Sequence, residues 1–307
     1  MKKIYFVNGF LEAGKTTFVK ELLSQDYFDT GEKTLVLLCE DGSEEYTADV
    51  CREHHLTLQM IEDEEEFTEE KLKEVEEKTN PERIIIEFNG MWNPEHKLDY
   101  WSGEQIMMIE IIDATTFELY LNNMKPYVKQ QLTNVYMTVF RSCDGKENRL
   151  ASYRRSIRAL NPQTNFVFKN KDGEMNPRLD EDLPYNIQEN RIELTEESFG
   201  TFYVDAMEYV TRYKEKIVSF TGKVFKKRKN TLLIGRKALT CCSEDLTMFA
   251  FICDARDVGE FNEYEWVRVD GQVKAEYFEK LQASIPVIQI IWIEKCQKPD
   301  QEVVEIY

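Results

Sequence analysis

The stretch Gly9-Phe10-Leu11-Glu12-Ala13-Gly14-Lys15-Thr16 satisfies the spacing G-x-x-x-x-G-K-[ST] in full. No other feature restricts the fold as much, because this pattern works only where a strand hands the chain to a helix. The glycines let the backbone bend around a phosphate with no side chain in the way. Successive N–H groups then point inward, and the following helix adds the positive end of its dipole. Lys15 can reach β- and γ-phosphates, the Thr16 hydroxyl can ligate Mg²⁺, and Thr17 continues the phosphate-facing turn. The flanks supply the required context. The apolar run "KIYFVN" (3–8) precedes the loop, and "KTTFVKELLSQ" comes after it with Phe18, Val19, Leu22 and Leu23 at helical spacing. Glu12 is the odd member: an anion in an anion cradle is expected to face solvent.

Behind the loop, apolar runs alternate with helical segments. "KTLVLLCE" (33–40), "ERIIIEFNG" (82–90), "QIMMIEIIDA" (105–114), "NVYMTVF" (134–140) and "TNFVF" read as buried strands. "EDEEEFTEEKLKEVEEK" reads as one solvated acidic helix with Leu72 and Val75 as a thin apolar stripe. "TTFELYLNNMKPYVKQQL" is helical with Pro126 as an interruption. The expected fold class is α/β, a P-loop NTPase with a mainly parallel sheet covered on both faces. The pattern changes after Lys169. A polar stretch and a helix, "TEESFGTFYVDAMEYVTRY", lead to five short strands from Lys216 onward. These predict a small C-terminal all-β barrel of the OB type. The division read from the pattern is 1–172 for the NTPase domain, 173–214 for a linker and helix, and 215–307 for the barrel.

A phosphate loop needs a carboxylate across the sheet to hold its metal. Glu87 ends the run Ile84-Ile85-Ile86, where such an acid belongs; its plainer role is to cap a strand. Gly90 comes next, without a side chain and so able to approach a γ-phosphate. Glu40 and Asp41 end the second strand at the same edge. They are either part of a segment that senses Mg²⁺ or the γ-phosphate, with Glu40 helping to position an attacking water, or a solvated turn.

Charge narrows the partners. With 39 Lys and Arg against 57 Asp and Glu, the formal net charge is −18. Such a surface repels nucleic acid and anionic membrane at long range. The exception is "GKVFKKRKN", where Lys223, Lys226, Lys227, Arg228 and Lys229 concentrate near Phe225. It is either a grip for single-stranded nucleic acid or a hairpin tip kept basic for solubility. The nine-residue run "IPVIQIIWI" is too short to span a bilayer. No secretory signal precedes the first strand, and seven cysteines, an odd number, read as reduced thiols; together these imply the cytoplasm. Three histidines leave little material for a Ser/His/Asp or Cys/His nucleophile set.

Three segments together, "GFLEAGKTTF" (9–18), "IIIEFNGMWNP" (84–94) and "EIIDATTF" (110–117), resemble the CobW-like GTPases in order and spacing. Glu87, Gly90, Pro94, Asp113 and Phe117 sit where that family's residues sit. The resemblance covers about residues 1–170. It implies a protein that binds GTP with Mg²⁺, hydrolyses it slowly, and delivers a metal ion or cofactor to a client. Three departures accompany it. The family's Cys-x-Cys-Cys metal motif is absent, and only Cys39 and Cys51, with His54 and His55, lie near its place. The guanine motif Asn-Lys-x-Asp reads Arg141-Ser142-Cys143-Asp144, so Asp144 alone remains to accept from a base, and GTP and other nucleotides both stay open. The loop's second glycine is Glu12. The segment 215–307, with Cys241-Cys242 and "EWVRVDGQV", resembles the OB-like domain of YcgQ-type proteins, which accompany a membrane permease. Cys241, Cys242 and Cys39 are the candidate zinc ligands; the alternative is ordinary core and surface cysteines. The expected partners are a nucleotide and a client metalloprotein or permease. The alternative function is an adaptor that does not hydrolyse nucleotide and binds partners through the barrel.

Overall fold

In the computed structural model, which describes residues 1–177, 183–239, 246–256 and 258–305, the chain divides into two units. The first comprises residues 1–150 and 161–177; the second comprises 151–160 and the described part of 178–307.

The first unit runs β1 (Lys3–Asn8), α1 (Lys15–Leu23), β2 (Thr34–Leu38), α2 (Ala48–Glu53), β3 (Leu56–Met60), α3 (Glu69–Thr79) and β4 (Arg83–Glu87). It continues with β5 (Gln105–Asp113), α4 (Phe117–Asn123), α5 (Lys125–Leu132) and β6 (Met137–Arg141). The helix α6 (Leu150–Leu160), whose residues from Ala151 on belong to the second unit, precedes β7 (Asn165–Asn170) and β8 (Gly173–Met175). The sheet order is β3-β2-β4-β1-β5-β6-β7-β8, parallel except for β8 against β7. Strand order therefore places β1 between β4 and β5, with the loop after β1 at the carboxyl edge, where α/β sheets bind ligands.

The strands alternate between two cores. Ile4, Phe6, Leu35, Leu37, Ile84 and Ile86 pack with Leu72 and Val75 of α3 on one face. Val7, Val36, Ile85, Ile109 and Ile111 pack with Phe18, Val19 and Leu23 of α1 on the other. Burial on both faces is why these strands read as unbroken apolar runs. The acidic segment is not one helix. A short 3₁₀ turn at Glu64–Glu66 leads to buried Phe67, and α3 starts afresh because the Thr68 side chain accepts from Lys71 N. Pro126 falls in the first turn of α5, where its missing N–H has no helical partner to lose. Neither α2 nor β3 is expected from the sequence pattern. β3 is an edge strand in which only Leu56 is buried, so it carries no apolar run.

The second unit contains β9 (Arg191–Glu193), α7 (Glu196–Glu208), α8 (Val210–Tyr213), β10 (Ile217–Arg228), β11 (Thr231–Leu239), β12 (Leu246–Asp254), β13 (Trp266–Phe278), β14 (Ala283–Lys295) and β15 (Val303–Val304). Pairing runs β10-β11-β12-β14-β13 and returns to β10, a closed five-stranded barrel in which only β12 and β14 pair in parallel. This is the OB-type barrel expected from the strand pattern. β10 serves two neighbours along its length, β13 through residues 217–223 and β11 through 223–228, with a bulge between Val224 and Lys226. Thr195 and Ser198 form a reciprocal cap on α7. Phe199 and Phe202 of that helix join Phe220 and Phe251 in the barrel core. Among the described residues no helix is long and apolar enough to cross a membrane.

Candidate functional site

The turn from β1 into α1 is built around glycine. Gly14 precedes the helix at φ 91°, a left-handed conformation that side chains disfavour. No side chain caps α1 and no acid occupies its first turn. Its leading amides are thus left for an external acceptor, the condition an anion site needs. From the neighbouring strand end, Gly90 packs directly on the loop. A Cβ there would lie 2.4 Å from Gly9 O and 2.8 Å from Phe10 N.

Lys15 is 4 % exposed. Its ammonium donates to the carbonyls of Gly9 (2.6 Å) and Phe10 (3.1 Å) and is paired with Glu40. Thr16 Oγ1 donates to Glu87 Oε2 at 2.6 Å, and Tyr46 donates to the other oxygen of Glu87. Burial raises the Glu87 pKa, against the bonds from Thr16 and Tyr46 and the charge of Lys15. A buried carboxylate beside a hydroxyl is a pair of hard oxygen donors short of positive charge, which suits Mg²⁺. Register explains the meeting: Val7 and Leu38 both pair with Glu87, so β1, β2 and β4 end level.

The segment after β2 lies along the loop. Glu12, at φ 61°, faces solvent, and its carboxylate accepts from Ser43 N (3.1 Å) and Ser43 Oγ (2.6 Å). Those two bonds hold its pKa down. Glu44 pairs with Lys20 of α1 at 2.8 Å. Residues 40–46 are therefore tied to the loop, α1 and the end of β4 through Glu40, Ser43, Glu44 and Tyr46. Only Glu40 stood out in the sequence. A serine and a tyrosine in an acidic turn carry no periodic signal, and their role depends on where the turn is laid down.

The remaining candidates divide. Phe10, Leu11, Ala13 and Thr17 complete the loop and the first turn of α1; Phe10 stacks on Tyr120 of α4 with ring centroids 4.0 Å apart. Asp144, just past the end of β6 on the same sheet edge, accepts from Lys171 N at 3.0 Å, so its bond goes to the β7–β8 turn and not to the loop. Arg141 does approach the loop, its Nε 2.8 Å from where a Cβ on Gly14 would stand, and it pairs with Glu21. Cys39 is sealed in the core, its thiol pushed well up by burial and by Glu40 and Glu87. Cys51 packs on the opposite face of the sheet, and His54 bonds Asp29 at 2.6 Å. Cys241 and Cys242 lie outside the described residues. Among the described residues no group of three or more His, Cys, Asp or Glu is placed to hold a metal. Lys226, Lys227, Arg228 and Lys229 are exposed at the β10–β11 turn.

Residues 3–168 match the family described as CobW/HypB/UreG, nucleotide-binding domain. Residues 169–305 match the DUF1980 C-terminal domain. Among curated proteins, the UPF0703 protein YcgQ of Bacillus subtilis is 21 % identical over 112 residues, 36 % of this chain and 39 % of that protein. The chain thus spans well under half of that relative's length. Among solved structures, the hydrogenase maturation factor HypB from Archaeoglobus fulgidus is 14 % identical at a TM-score of 0.44, over 56 % of this chain and 84 % of that one. FlhF complexed with GMPPNP/Mg²⁺ is 16 % identical at 0.38, over 57 % and 71 %.

Proposed function

This chain belongs to the CobW/HypB/UreG nucleotide-binding family, and from that premise we propose that it is a Mg²⁺-dependent nucleoside-triphosphate switch that binds and slowly hydrolyses GTP. The observation that supports this most is the meeting of Thr16 with Glu87 beside Lys15, three residues drawn from two separate elements to one strand-end crevice. In this reading the loop amides from Gly9 to Thr17 cradle the phosphates and Lys15 takes the β- and γ-oxygens. Thr16 and Glu87 hold the metal, which supplies positive charge against the phosphate oxygens.

Glu40 provides the switch. A γ-phosphate arriving at Lys15 meets the Glu40 carboxylate already there. Two like charges about 4 Å apart repel by about 4 kcal/mol at the effective dielectric of a protein surface. The phosphate carries more negative charge than the carboxylate and compensates the buried Lys15 ammonium in its place, so Glu40 is displaced. Its segment moves with it through the Ser43, Glu44 and Tyr46 contacts. Once released, Glu40 is free to position the attacking water. Asp144 is the group left to read the base, and the movement serves delivery of a metal ion or cofactor to a client protein met by the barrel.

Titration calorimetry with GTP, ATP and GDP, each with and without Mg²⁺, tests the reading. Binding should require Mg²⁺ for the triphosphates, favour GTP over ATP, and vanish in Lys15→Ala. Undiminished binding by Lys15→Ala would overturn the site. One observation favours a second reading, a non-hydrolysing adaptor: Arg141 and Ser142 stand where the family's asparagine and lysine read the base. Sustained phosphate release that disappears in Lys15→Ala would exclude it.

A further inference from the structure

Glu110 is a carboxylate in the middle of an apolar strand, and the phosphate-loop site does not use it. It is 2 % exposed. Its register partner across β1 is Asn8, 1 % exposed, and the two side chains meet. Asn8 Nδ2 donates to Oε1 of Gln131, which is 2 % exposed and comes from α5. Gln131 Nε2 in turn donates to the carbonyl of Gly90 at 2.8 Å and to that of Trp92 at 3.3 Å. On the other side of the same peptide plane, Met91 N donates to Asn89 Oδ1 at 2.9 Å. The peptide after Gly90 is thus clamped from both edges, while Gly90 itself rests on Gly9 O. The contacts close into a ring: Asn8 to Gln131 to Gly90 to Gly9, the residue after Asn8 in the chain.

Two atoms of this network lack a donor, Asn8 Oδ1 and Glu110 Oε2. Leaving a buried acceptor unbonded costs about 1–3 kcal/mol. Asn8 Nδ2 serves both neighbours: it donates to Gln131 Oε1, and its bond to Glu110 favours the carboxylate form.

We propose that Gln131 is the positioning residue for the Gly90 backbone, held in that pose by Asn8. The proposal rests on the nucleotide-switch reading and deepens it. Gly90 is the group that approaches a γ-phosphate, so the relay acts on triphosphate recognition and not on diphosphate recognition. It also ties any movement of Gly90 to α5, an element separate from those that carry Lys15, Thr16 and Glu87.

The test compares a non-hydrolysable GTP analogue with GDP, both with Mg²⁺, by calorimetry on the full chain. Gln131→Met keeps the length of the side chain but can neither accept from Asn8 nor donate to Gly90. It should weaken the triphosphate analogue about tenfold and leave GDP within about twofold, the size of one buried hydrogen bond. Gln131→Ala should do the same. Asn8→Ala, which leaves Gln131 Oε1 without its donor, should give the same selective loss at a smaller size. Equal losses for both nucleotides, or none, in the Gln131 variants would overturn the positioning role while leaving the nucleotide site intact. No nucleotide binding by the unaltered chain would overturn both. If neither Gln131 variant folds by circular dichroism, Asn8→Ala decides: equal losses for both nucleotides there sink the positioning role.

Discussion

Both units bury cations, and Arg236 and Lys15 show two opposite ways of holding one. Arg236, in the barrel, is 2 % exposed. It donates to the carbonyls of Thr221, Gln301 and Glu302 and lies 5.2 Å over the Trp266 ring. Its partners are backbone and ring, which have nowhere to go. Lys15 is 4 % exposed, and its charged partner, Glu40, sits on a segment tied to the loop by side-chain contacts. A buried cation held only by backbone and a ring holds a fold together; one paired with a side-chain carboxylate can exchange that partner for an anionic ligand. Burial alone does not distinguish a site from a staple. The chemistry of the counter-group does.

Substitution of each cation offers the sharpest way to break this contrast. Arg236→Met strips donors from up to three carbonyls and should cost about 3 kcal/mol or more of barrel stability. A scanning calorimeter should record it as a melting point lowered by several degrees, with nucleotide affinity unchanged. Lys15→Ala should abolish affinity and also lower the melting point, because the Gly9 and Phe10 carbonyls lose a donor and Glu40 its partner. An Arg236→Met that weakened nucleotide binding would dissolve the distinction.

Glu40→Gln probes a smaller effect. It removes the competing charge from Lys15 but keeps the shape, so triphosphate affinity should rise, by about three- to tenfold. A drop in affinity would mean that Glu40 assists binding instead of opposing it. If phosphate release slows while affinity rises, both the gate and the water-positioning role stand.

The smallest change is expected from Glu12→Gly. A glycine relieves the left-handed backbone at φ 61° but removes both bonds to Ser43. These effects are each below about 1 kcal/mol and oppose one another, so net stability should barely move. Hydrogen exchange in residues 40–46 should accelerate, because that segment loses one of its ties. Unchanged exchange would show that the Glu40 and Glu44 pairs suffice.

Legibility in the sequence tracked how local each feature is. Strands buried on both faces had to be continuous apolar runs, so β1, β2, β4 and β5 stood out. β3 did not, because it lies at the sheet edge and four of its five residues are not buried. The break before α3 hid in an acidic run because it depends on Phe67 finding the core and Thr68 capping the new helix. Within the candidate site, Lys15, Thr16 and Glu87 were readable because the loop pattern and a strand end are short-range signals. Asn8 was in plain view at the end of "KIYFVN", yet its partner Gln131 lies in helix α5, and nothing in either segment names the other.

By itself, then, the order of residues determined the phosphate loop, the apolar strands around it and the strand-rich second half. Each of these is dictated by backbone geometry or burial within about ten residues. Only the tertiary structure decided which carboxylate sits on Lys15, which tyrosine reaches Glu87, and that Gln131 clamps Gly90. Those pairs are separated by 25 to 41 residues, and a hydrogen bond forms only where strand order and register bring both atoms to the same edge.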